Sequence, residues 1–163
     1  MGNTNLRYFI KQLQQAYYGG SWLDEDVEKK LKAVTEETAF VKPYNYVHSI
    51  AEVTSHLIEW RKEIIERFAS GRPQQLTVDS PNNWLANELL RSNGWAYLKE
   101  QLHKTQNDLV ALLETKDDTF LESRWSGEDT YKWLLSGLIE HDVYHLGQIG
   151  LIFKMINHQR HAL

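Results

Sequence analysis

"GLIEHDVYHLGQI", residues 137–149, puts two histidines four positions apart in a run whose apolar residues keep helical time. At ~100° per residue, Tyr131, Leu134, Leu138, Ile149, Ile152 and Ile156 gather around one direction, and the helix they predict runs over 130–156. His145 falls inside that apolar sector and His141 at its edge. An imidazole aimed at a core must find a partner there or lose its hydration uncompensated. Two imidazoles one turn apart on the same side can share one metal ion. The pair therefore reads as a metal or catalytic pair rather than as ordinary hydrogen-bonded core histidines.

Outward from this segment, Pro43, Pro73 and Pro81 all fall between stretches of helical periodicity and punctuate the chain. Residues 4–18 carry one stripe of Leu6, Phe9, Ile10, Leu13, Ala16 and Tyr17, ended by Gly19 and Gly20. A shorter helical piece lies in "LDEDVEKKLKAV". A second long helix opens at Ser49, which forms a capping box with Glu52. Its apolar face is Ile50, Val53, Leu57, Trp60, Ile64 and Phe68, and Gly71 and Pro73 end it. A loop with one helical turn near Trp84 leads to a third long helix over 92–115. The connection "TKDDTFLESRWSGED" is polar, and no stretch alternates in the manner of a strand for a useful length. The reading is all-α, a four-helix bundle in a single domain over residues 1–163.

A net charge of −4 and scattered basic residues predict neither a nucleic-acid nor an anionic-membrane partner. With no cysteine, the chain has no disulfide, no thiolate ligand and no cysteine nucleophile, which suits a cytoplasmic location. No apolar run reaches the ~18 residues of a membrane helix.

Two ligands do not complete a site, and His56 is the best third candidate, placed mid-helix at the margin of the face formed by Val53, Leu57 and Trp60. His48 and Glu52 are weaker candidates, since a helix cap accounts for both. His103 points away from the leucine stripe of its helix, toward solvent. "HDVYH" shares the spacing of the H-E-x-x-H protease motif, but Asp142 is a methylene too short for the glutamate's work. Asp142 reads instead as orienting a neighbouring group or capping a charge, and Gln148 as a hydrogen-bond partner of a ligand imidazole or of another helix. Gly137, Gly147 and Gly150 read as points where a neighbouring helix comes close.

Taken together, "SIAEVTSHLIEW" and "GLIEHDVYHLGQI" resemble the DinB / YfiT-like superfamily of metalloenzymes. That resemblance implies a bundle with up-down-down-up order, a homodimer, and a divalent metal, zinc or nickel, on His56, His141 and His145. It also implies a low-molecular-weight thiol as cosubstrate, such as bacillithiol, mycothiol or glutathione. The function expected on this basis is a thiol-dependent transferase acting on small electrophilic molecules. A metal-dependent hydrolase using activated water and a non-catalytic metal-binding module are the alternatives.

Overall fold

A computed structural model describes residues 3–161. Helix α1 (Thr4–Tyr18) stops at Gly19 and Gly20, whose φ of 102° and 85° are open to glycine but strained for other residues. Two short helices follow, α2 (Val27–Lys32) and α3 (Glu36–Ala39), started by the side chains of Asp26 and Thr35. Helix α4 (Ile50–Ser70) carries both bonds of the Ser49–Glu52 capping box and ends at Gly71 in the left-handed conformation. The turn anticipated at Trp84 lies slightly later, as α5 (Asn87–Arg91). Helix α6 (Gly94–Glu114) is followed by the single turn α7 (Asp118–Glu122) and a two-stranded ribbon, β1 (Arg124–Ser126) with β2 (Asp129–Thr130). Helix α8 (Tyr131–His161) runs five residues beyond the expected end. Its polar tail has no apolar rhythm to read, and tertiary bonds hold it: Gln159 donates to the Pro43 carbonyl at 2.9 Å and Arg160 reaches Glu37 at 3.3 Å.

Side-chain contacts set the helix directions. Along α4 and α6, Arg61 meets Gln106 while Phe68 shares a cluster with Leu113, so the two run parallel. Along α8 the order reverses, with Tyr131 beside Gly71, Asp142 on Arg61 and His145 at His56. Helix α1 opposes α6, since Asp118 takes the backbone N–H of Leu6 while Gln106 donates to the Leu13 carbonyl. These contacts give up-down-down-up order in an all-α bundle.

The buried apolar residues form two clusters. One holds Ile50, Leu57, Leu98, Leu102, Ile149 and Ile152, and the other Leu13, Ile64, Leu109, Leu113, Leu135 and Leu138. Between them on their helices lie Arg61, Gln106 and Asp142, each at most 1% exposed. The middle of this bundle is therefore a polar layer, and the histidines sit at its edge.

The close approaches expected at the α8 glycines are absent. A methyl group at Gly137 or Gly147 would meet nothing within 4 Å, and one at Gly150 would meet only the flexible end of Lys30. Gly147→Ala should therefore stabilise the protein by about 1 kcal/mol through helix propensity alone. Urea denaturation checks this, and an unchanged or lowered midpoint would show a packing role that the geometry does not.

Candidate metal centre

The capping box at Ser49 sets where α4 begins, and with it the face on which His56 stands, buried at 5% exposure. The apolar stripe of α8 turns His141 and His145 toward the same space. There the three rings meet. The Nε2 atoms of His56 and His145 lie 2.9 and 3.1 Å from Nε2 of His141, and all three fall within 4.8 Å of one another.

The outer nitrogens decide what those inner atoms are. His56 Nδ1 faces the Asn83 backbone carbonyl at 2.9 Å, which only accepts, so Nδ1 carries the proton. His145 Nδ1 donates in the same way to Oε1 of Gln148 at 2.7 Å. Both Nε2 atoms are therefore lone pairs aimed at His141. A single N–H on His141 can satisfy only one of these contacts well, whereas a divalent cation accepts all three lone pairs. His141 Nδ1 is buried with no partner, so nothing outside the triangle sets its tautomer. The three histidines can bind a metal ion, and their donor set and tautomers fit one.

The electrostatics agree. Burial, helped by the adjacent His145, His56 and Arg61 charges, pulls His141 down to about 3. Burial likewise takes His145 down to about 4 and lowers His56. Neutral imidazoles are the ligating form. An unfolded chain takes up these protons near pH 6.5, whereas the folded chain holds His145 neutral to about pH 4 and His141 to about pH 3. The unfolded state binds more protons across that window, so metal-free protein should lose stability as pH falls from about 6.5 toward 4. Denaturation midpoints that stay flat over that range would refute the neutral assignment.

Asn83 and Trp84, on the connection after α4, are site residues that sequence reasoning missed. Besides its carbonyl on His56, Asn83 accepts from the Trp60 indole at 2.9 Å and donates to the Val78 carbonyl at 2.8 Å. Trp84 stacks on His56 with ring centroids 4.0 Å apart, and on its other face carries His48 at 3.8 Å. Neither residue has a helical period to announce it; an asparagine and a tryptophan in a polar connection were the only signal. His48 and Glu52 stay out of the triangle, since Glu52 is taken by Lys42, His48 and the Ser49 N–H. His103 is exposed. Among the described residues Asp142 touches no histidine by a hydrogen bond. It holds Arg61 through Nη2 at 2.7 Å and Nε at 3.4 Å, and so caps a buried charge.

The three histidines form the floor of a cavity of about 530 Å³ between α4, the connection after it and α8. Its walls include Trp60, Ile64, Trp84, Leu134 and Leu138, and among the described residues no charged side chain lines it.

Residues 21–149 match the sequence model of the DinB superfamily. The chain belongs to the DinB superfamily. No curated protein matches it significantly. Among solved structures, the colibactin self-resistance protein ClbS, crystallised in complex with double-stranded DNA, shares the fold with a TM-score of 0.66. The match covers 91% of this chain and 95% of that one at 21% identity. Two expectations are corrected by that comparison. A protein of this fold is named for self-resistance and was crystallised on DNA, so neither a thiol-dependent transferase nor the exclusion of a nucleic-acid partner follows from the fold. Net charge does not exclude a nucleic-acid partner, because it sums the whole surface while a duplex meets one face of it. Among the described residues no cationic side chain lines the cavity to receive the carboxylates of bacillithiol or glutathione. Among the described residues no helix is long and apolar enough to cross a membrane.

Proposed function

We propose that this DinB protein is a metal-dependent hydrolytic enzyme that holds one divalent ion, zinc or nickel, on His56, His141 and His145. The observation that carries this reading is the convergence of the three Nε2 atoms while the outer nitrogens of His56 and His145 already donate elsewhere. Held by three neutral imidazoles, such an ion supplies Lewis-acid chemistry that makes water nucleophilic at neutral pH. The chain's own residues do the rest. Asn83 and Gln148 orient two of the imidazoles, and Trp84 clamps the His56 ring in plane. Trp60, Leu134 and Leu138 keep bulk water from the buried side of the site. The self-resistance role in the name of ClbS supports a protective role for this chain.

Elemental analysis of purified protein should give about one zinc or nickel per chain. The loaded protein should hydrolyse neutral esters and lose that activity on chelation. His56→Ala should weaken the metal by at least ~10-fold, since even the loss of a residue supporting a ligand costs 10–100-fold, while His103→Ala binds as the parent does. Equal affinity in His56→Ala would exclude the three-histidine site.

A further inference from the structure

Trp133, Gly137, His141 and His145 recur at four-residue spacing on α8, and all four line the cavity. On a helix such residues stand one above another. The stripe therefore begins at an aromatic ring, passes a position with no side chain and ends at His141 and His145, which His56 joins from α4. A Cβ at Gly137 would meet nothing within 4 Å, so the gap is a slot rather than a packing contact. Trp133, 60% exposed, stands one turn before Gly137, and Tyr144, 63% exposed, lies beside His145 with ring centroids 5.0 Å apart. Glycine weakens a helix interior by about 1 kcal/mol relative to alanine, and no neighbouring backbone requires one here.

The amide and imidazole groups beside the metal-facing nitrogens are largely committed, and no charged side chain among the described residues lines the cavity. The Asn83 side chain bonds Trp60 and the Val78 carbonyl, and the outer nitrogens of His56 and His145 are taken. What remains for a bound molecule is apolar surface along its body, the neutral Tyr144 hydroxyl and the Trp133 indole N–H at the rim, and the three Nε2 atoms at one end. A charged body would lose its hydration with nothing in return.

We infer that the substrate is a neutral molecule with a flat, apolar, aromatic body, which lies in the slot over Gly137 between Trp133 and the histidines, its single polar reactive group directed at Nε2. This rests on the histidines being the reacting end. The volume of about 530 Å³ suits a ligand of drug size.

Binding to chelator-treated protein tests the slot independently of the metal. Two probes with the same ring system are titrated calorimetrically, neutral 2-naphthamide and anionic 2-naphthoate. The amide should bind one-to-one and at least ~10-fold tighter than the acid, the sign set by uncompensated burial of charge. Gly137→Leu fills the slot and should weaken the amide at least ~10-fold. Gly147→Leu, equally free of neighbours but outside the cavity, should leave it unchanged and controls for helix effects. Naphthoate binding as tightly as the amide, no amide binding, or an unaffected Gly137→Leu would overturn the inference. A metal titration on the same samples separates the two readings. One ion bound without amide binding rejects only the substrate class, and amide binding without a metal rejects only the hydrolase.

Discussion

His141→Ala should abolish stoichiometric metal binding, with a larger effect than removal of either other histidine. Its Nε2 is the atom that both of the others approach, at 2.9 and 3.1 Å. Without it, His56 and His145 face each other across a gap on different helices, and a metal would have to recruit two waters in a half-buried site. Losing a residue that merely supports a ligand costs 10–100-fold in affinity, so loss of the shared ligand should exceed ~100-fold. Folding should survive, because His141 Nδ1 is already unpartnered and its ring is partly exposed. Removing a neutral, desolvated imidazole also removes a group that acid would otherwise force to charge. Metal-free His141→Ala should therefore resist acid better than the parent. Calorimetric titration with zinc and nickel, together with circular dichroism, reads both effects. Parent-like affinity with a native spectrum would eliminate the centre.

Asp142→Ala should be the most destabilising single change in the polar layer. Arg61 and Asp142 are each 1% exposed and share a two-point ion pair, and Arg61 Nη1 donates to Gln106 at 2.6 Å. Gln106 in turn bonds the Leu13 carbonyl, so one network ties α1, α4, α6 and α8. Removing the carboxylate leaves a guanidinium buried with a single neutral partner, a change that costs about 3–5 kcal/mol. Replacing both members at once, as Arg61→Met with Asp142→Leu, should recover most of that loss, because neither charge is then stranded. The exposed Lys104–Asp108 pair on α6 offers the contrast: its removal should cost only about 0.3–0.5 kcal/mol. Urea denaturation of the four proteins decides. A single mutant within 1 kcal/mol of the parent would mean that water reaches Arg61 freely.

The long helices were legible because burial imposes a period. Leu6, Phe9 and Leu13 predict α1 to its first and last residues, and the Ser49–Glu52 box marks the start of α4. The end of α8 was not legible, since past Ile156 its residues are held by contacts with Pro43 and Glu37, more than a hundred positions away. In the site, the i, i+4 spacing of His141 and His145 is a local property, and spacing alone places both on one side of one helix. His56 was readable as a candidate from its position at the edge of an apolar face.

What the chain's order of residues determines by itself is therefore periodic or short-ranged: an all-α bundle, its four long helices and two histidines turned inward on the last. Only the tertiary structure decided that His56 closes the triangle, that Asp142 serves Arg61 rather than a ligand, and that Asn83 and Trp84 belong to the site. Each of these depends on how far one helix slides along another, because a shift of one turn, ~5.4 Å, would carry His56 out of reach of His141. That register is set by the packing of the two apolar clusters and by the buried ion pair between them. No single helix contains that information, so it has no signature in the sequence of any one of them.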